Sequence, residues 1–159
     1  MALIDRLPPT ARRVELHTDT ALNRSIQERS DAEVVRLEGA SADQITRRLR
    51  QLDEEWDIER WLQTNAPILV LLGVTLGATV HRRFLLLPAA VFSFFAQHAL
   101  QGWCPPIPVF RRLGVRTQRE IERERYALKA LRGDFDAVPR KEAAPVSERV
   151  REALRAVDR

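Results

Sequence analysis

Two long apolar runs dominate the hydrophobic pattern of the chain. Trp61 to Val80 gives 20 consecutive residues without a formal charge, and Phe84 to Phe110 gives 27 more, separated only by His81, Arg82 and Arg83. A bilayer core about 30 Å thick takes roughly 20 apolar residues in a helix rising about 1.5 Å per residue. Each run therefore has spanning length. One crossing through both does not fit, because it would hold Arg82 and Arg83 near mid-bilayer at about 2.5–3.5 kcal/mol each. The pattern predicts two spans joined by a very tight turn at these arginines. Each span carries about nine Leu, Ile, Val or Phe residues worth roughly −0.3 to −0.6 kcal/mol apiece, partly offset by Gly, Thr, Asn, Gln and Pro. Insertion is favourable by a modest margin, so packing between helices matters.

The flanks are charged and carry narrow apolar stripes. Residues 1–40 are polar, with Val14, Leu22, Ile26, Val34 and Leu37 scattered through them; they read as a weakly packed helical or partly disordered segment. Gly39 breaks the chain, and Ser41 with Gln44 forms a capping box that opens an amphipathic helix within 41–60. Its stripe is Ile45, Leu49, Leu52 and Trp56. A two-helix transmembrane domain occupies 61–115. Thr117 with Glu120 forms a second capping box, opening an amphipathic helix within 116–135 that carries Ile121, Tyr126, Leu128 and Leu131 and stops at Gly133. Residues 136–159 read as a linker, Pro139 to Pro145, followed by a short tail striped with Val146, Val150, Leu154 and Val157. The predicted fold is all-α: a transmembrane helical hairpin with amphipathic cytoplasmic helices on both flanks.

Composition sharpens this picture. Charged residues make up 30% of the chain, yet they are almost excluded from its middle, which explains how a mean hydropathy of −0.29 conceals two spans. Near the ends of the spans lie Arg47, Arg48, Arg50, Arg60, Arg111, Arg112, Arg116, Arg119 and Arg123, whereas the turn offers only Arg82 and Arg83. By the positive-inside rule both termini are cytoplasmic and the turn faces the periplasm or cell exterior. Trp56 and Trp61 mark the approach to the bilayer and Trp103 its far boundary; with Arg82, Arg83, Arg111 and Arg112 they are the expected interface anchors. Met1 to Arg13 lacks an apolar signal core, so the first span is expected to serve as its own signal.

Small and breaking residues set further expectations. Gly73 and Gly77 form a G-x-x-x-G pair in the first span, and Ala89 and Ser93 a small face in the second. Such faces let helix backbones approach in lipid, either within the hairpin or between two copies. Pro67 and Pro88 each belong in the first turn of a helix or kink it. Pro105, Pro106 and Pro108 turn the chain along the interface.

Candidate chemistry is sparse. Gln97, His98, Gln101, Trp103, Cys104 and Pro105 cluster at the end of the second span. One thiolate and one imidazole do not make a metal site, and His17 and His81 lie elsewhere, so no metal or cofactor is implied. Cys104, the only cysteine, forbids an intramolecular disulfide. It is the candidate thiol because Arg111 and Arg112 follow closely, although Cys104-Pro105 equally reads as a helix stop. The net charge of +4 resides in the C-terminal flank, residues 105–159 carrying 14 basic and 9 acidic groups, and without a nucleic-acid motif it implies no nucleic-acid partner.

Gly102-Trp103-Cys104-Pro105, preceded by an apolar hairpin and followed by Leu113-Gly114, resembles the Gly-aromatic-Cys-Pro and Leu-Gly signature of the YgaP-like two-helix inner-membrane domain of unknown function. The resemblance covers roughly residues 60–115, and the flanks at 52–60 and 126–135 look like those of longer bacterial relatives. It implies an inner-membrane hairpin capable of dimerising. Some members of that family are fused to a rhodanese, but no strand–helix alternation here supplies such a domain, so sulfurtransferase activity is not carried over.

Three functional readings follow. The first is a non-enzymatic membrane module that oligomerises, as a homodimer or with another membrane partner, or docks partners through its cytoplasmic helices, with no small-molecule substrate. The second is a thiol-dependent redox or sulfur-handling accessory protein using Cys104. The third is a soluble helical interaction bundle. Transport fits poorly, because neither span carries an acidic residue.

Overall fold

The computed structural model describes residues 7–158. Helices dominate, and no strand occurs among the described residues. The chain falls into two compact units: one holds the described residues up to Glu28 together with Trp56–Ile121, the other Arg29–Glu55 with the described residues from Glu122 onward.

The first unit is built around the hairpin. A 3₁₀ turn, Thr10–Arg12, leads into the short α1, Arg13–Leu16, and then into α2, Thr20–Arg36, whose second half belongs to the other unit. Helix α4, Ile58–Thr79, starts where the Asp57 carboxylate accepts the Arg60 N–H at 2.8 Å. Its 22 residues give a length of about 33 Å. Pro67 sits inside it, nine residues after its start, so the first helix is not shortened by proline. The chain reverses at His81, whose Nδ1 accepts the Arg83 N–H at 3.0 Å, and a 3₁₀ turn, Arg82–Leu85, runs into α5, Leu86–Gln101. Pro88 falls in the first turn of α5, where a missing N–H does least harm.

Both glycines of the G-x-x-x-G pair face the chain's own returning limb, Gly73 the first turn of α5 and Gly77 the 3₁₀ turn before it. A Cβ on Gly73 would stand 2.4 Å from Cδ of Pro88, and one on Gly77 2.6 Å from Cδ2 of Leu85. Ala89 and Ser93 face away and are exposed. The close approach pairs Gly73 with Pro88 and Gly77 with Leu85, and the small face of Ala89 and Ser93 takes no part in it.

Beyond the hairpin, Gly102 ends α5 at φ 81° and donates to the His98 carbonyl at 2.8 Å. After Pro105 and Pro106, Ile107–Arg112 forms a short helix, α6, closed by Gly114 at φ 85°. Val14, Ile58, Leu62, Cys104 and Ile107 make the core at this end, with Phe95, Phe110 and Val115 packed on it.

In the second unit, Gly39 at φ 73° separates α2 from α3, Ala42–Glu54, and the Ser41–Gln44 capping box is present. Ile45, Leu49 and Leu52 are buried, but α3 stops before Trp56, which lies in the break ahead of α4. Most of α7, Gln118–Arg132, contributes Leu128 and the wholly buried Glu124, which accepts from Arg48 Nε at 2.7 Å and from Ser30 Oγ at 3.1 Å. Gly133 ends α7 at φ 84°. Helix α8, Val146–Asp158, buries Ala156 and leaves Val146, Val150, Leu154 and Val157 exposed. The N-terminal segment is better packed than its composition suggests: Val14, Ile26 and Leu37 are all buried.

Candidate functional site

The polar chemistry of the first unit gathers where α4 begins and α5 ends. Glu59, in the first turn of α4, accepts from Arg13 Nη2 at 2.8 Å and contacts Nε2 of His98 at 3.0 and 3.1 Å. His98 is almost wholly buried, and its other ring nitrogen, Nδ1, has no partner. The His98 hydrogen bond is the main influence holding the Glu59 carboxyl below the usual carboxylate range, with Arg13 adding to it against the opposing effect of burial. Glu59 precedes the uncharged run that starts at Trp61, so this cluster stands at the boundary of the hairpin.

Gly102 shows why a side chain is excluded at the same boundary. A Cβ there would lie 2.5 Å from both the carbonyl carbon and Cβ of Arg13, and the backbone already occupies the left-handed region. The Arg13 backbone is seated on Gly102 while its guanidinium reaches Glu59. One N-terminal residue thereby ties both helices of the hairpin.

A second cluster surrounds Arg111. Its guanidinium forks onto Glu120, with Nη1–Oε2 at 2.6 Å and Nη2–Oε1 at 2.7 Å, and also donates to the Val115 carbonyl and to Asn23 Oδ1. Arg111 is wholly buried, which corrects its expected place among the interface anchors: the carboxylate nine residues onward in sequence holds it inside the protein. Glu120 also accepts the Thr117 N–H at 2.7 Å while Thr117 Oγ1 accepts from Glu120 at 3.3 Å, so the capping box and the Arg111 site share one carboxylate. Glu15 joins through Thr117 and through Arg119, at 2.7 Å.

Of the other singled-out residues, Arg82, Arg83, Arg112, Trp56 and Trp61 are exposed, and Trp103 is half-buried against Phe94. The Arg60 guanidinium lies 4.4 Å from the Trp56 ring centre, and the Trp56 and Trp61 rings are 5.2 Å apart. Cys104 is buried in the core, and burial pushes its thiol up. Exposure and a stabilised thiolate, the two conditions of a reactive cysteine, are not met there. In the signature, Gly102 and Gly114 end helices, Cys104 fills the core, and Leu113 is exposed. Among the described residues no group of three His, Cys, Asp or Glu side chains is arranged to hold a metal ion.

Sequence reasoning passed over Arg13, Glu15, Asn23 and Glu59 as parts of a site. Only Glu59 left a trace, as a carboxylate two residues ahead of an uncharged run. No protein-family model, curated protein or solved structure matches the chain.

Proposed function

We propose that the chain is a small integral membrane protein whose helices α4 and α5 cross a bacterial inner membrane, with both termini cytoplasmic, and that it works without catalysis by oligomerising or by docking partners through its charged helices. One observation carries this reading. Two helical stretches have the length and apolarity to cross a membrane, one ending with α4 at Thr79 and one running from Arg82 through the 3₁₀ turn and α5 to Gln101, yet only 17% and 11% of their most apolar windows are buried within the protein. Ile68, Leu69, Leu71, Leu72, Phe92 and Leu100 point outward from a hairpin that carries no charge between Trp61 and Val80. Soluble monomers rarely expose apolar patches beyond a few hundred Å². A bilayer covers this surface without a further protein. Arg82 and Arg83 at the turn, and Glu59, Arg60 and the tryptophans at the open end, suit the two interfaces.

The absence of catalysis is supported by the setting of Cys104 and by the engagement of the buried charges around Glu59 and Arg111 with one another. Carbonate extraction of membranes from cells expressing the chain tests the proposal. Retention in the pellet is the expected result; release into the supernatant would replace it with a soluble helical assembly that hides the same surface between copies.

A further inference from the structure

A cleft of about 330 Å³ opens in the first unit beside the Arg13–Glu59 pair. Its volume is at the lower end of the range for small-molecule sites, and such sites combine apolar walls with a few polar groups. Ala11, Val14 and Ile58 supply apolar lining, and Arg13, Glu59 and Arg119 supply the charges. Two cations thus face one carboxylate in the lining. Arg119 is held from outside it by Glu15 through Nη1 only, and its side chain is half exposed. Arg13 gives Nη2 to Glu59, while its Nε is buried without any partner. Among the described residues Arg13 Nη1 makes no hydrogen bond, which leaves it, with the free Nη2 of Arg119, as a donor for an oxygen atom in the cleft.

We infer that this cleft binds an anionic glycerophospholipid, the phosphate accepting from Arg13 and Arg119 and the start of an acyl chain lying against Ala11, Val14 and Ile58. The inference deepens the membrane reading and rests on it. Glu59 stands two residues before the uncharged run, so an inserted hairpin puts the cleft at headgroup level, where such lipids are concentrated. The apolar lining distinguishes a lipid from free phosphate, and the arginines distinguish an anionic headgroup from a zwitterionic one.

Binding of pyrene-labelled phosphatidylglycerol to the purified full chain in neutral maltoside micelles tests the assignment. Saturable binding is expected, displaced by unlabelled phosphatidylglycerol but not by phosphatidylcholine or inorganic phosphate. Arg119→Gln should weaken it about fivefold, the scale of one partly exposed charge-assisted hydrogen bond. Ala11→Phe, which fills the cleft, should abolish it while helicity and thermal unfolding are retained. Equal displacement by phosphatidylcholine or by inorganic phosphate, unsaturable partitioning, or unchanged binding by both variants would each overturn the inference. If the chain stays in the carbonate pellet but shows no saturable binding, only the lipid site fails. If carbonate releases the chain and the lipid still binds, only the membrane reading fails.

Discussion

Replacing Gly73 by alanine adds one carbon at the closest approach of the two long helices. That carbon would stand 2.4 Å from Cδ and 2.9 Å from Cγ of Pro88, and 3.2 Å from Cβ of Leu87. Ordinary van der Waals contact begins near 3.4 Å, so the shortest contact falls 1.0 Å short (3.4 − 2.4). The proline ring has no rotamer to change, and Leu87 meets the new carbon with its own Cβ. Relief therefore requires the helices to separate or slide, which loses the close contacts that hold apolar helices together in lipid. Overpacking of this kind costs about 1–3 kcal/mol, a change of about 5- to 150-fold in the folding equilibrium. The assay is unfolding of the chain in maltoside micelles by added sodium dodecyl sulfate, followed by tryptophan fluorescence. Ala89→Leu is the control, because Ala89 is exposed on the opposite face and should shift the midpoint little. If Gly73→Ala leaves the midpoint unchanged while abolishing a dimer, the glycines pack between copies and the intramolecular assignment is refuted.

Further outcomes follow from the site. Gly102→Ala forces a side chain into the left-handed region and against Arg13, and should cost at least about 1–2 kcal/mol in the same assay. Glu120→Ala strips the carboxylate from a wholly buried guanidinium and should destabilise the chain by about 3–5 kcal/mol, with Glu120→Gln falling between it and the native chain. Because the Glu59 carboxyl is held below its ordinary value near 4.5, its contribution is present above that pH and lost as pH falls through the folded value. The stability gap between the native chain and Glu59→Gln should therefore narrow under acid, and a gap that stays constant would contradict the assignment. Iodoacetamide should modify Cys104 far more slowly in the folded chain than after unfolding, measured by mass spectrometry at neutral pH; equal rates would show an accessible thiol.

What the sequence made legible was mostly local. Capping boxes such as Ser41–Gln44 and stop glycines such as Gly133 act over a few residues, and their outcome is nearly independent of the rest of the chain. The stripe of Ile45, Leu49 and Leu52 was readable for the same reason, but its continuation to Trp56 was not: Asp57 starts a new helix by capping it, and this outweighs the spacing. Helix α6 escaped notice because three prolines look like a break, although proline at the start of a helix costs no hydrogen bond. The clusters were illegible for a different reason. Arg111 meets Asn23 across 88 residues and Arg13 meets Glu59 across 46, and no spacing rule links positions brought together only by folding. Interface position was read from residue type, and type alone cannot distinguish an exposed Arg112 from a buried Arg111.

Insertion of the hairpin is tested most directly by spin labels at mid-helix. With Cys104 replaced by serine, Leu71→Cys in α4 and Phe92→Cys in α5 are each labelled and the chain is reconstituted into liposomes. Relaxation by oxygen is then compared with relaxation by a water-soluble nickel chelate. A bilayer-spanning hairpin predicts strong relaxation by oxygen and almost none by nickel at both sites. Strong relaxation by nickel at either position would place that helix in water and contradict the membrane assignment.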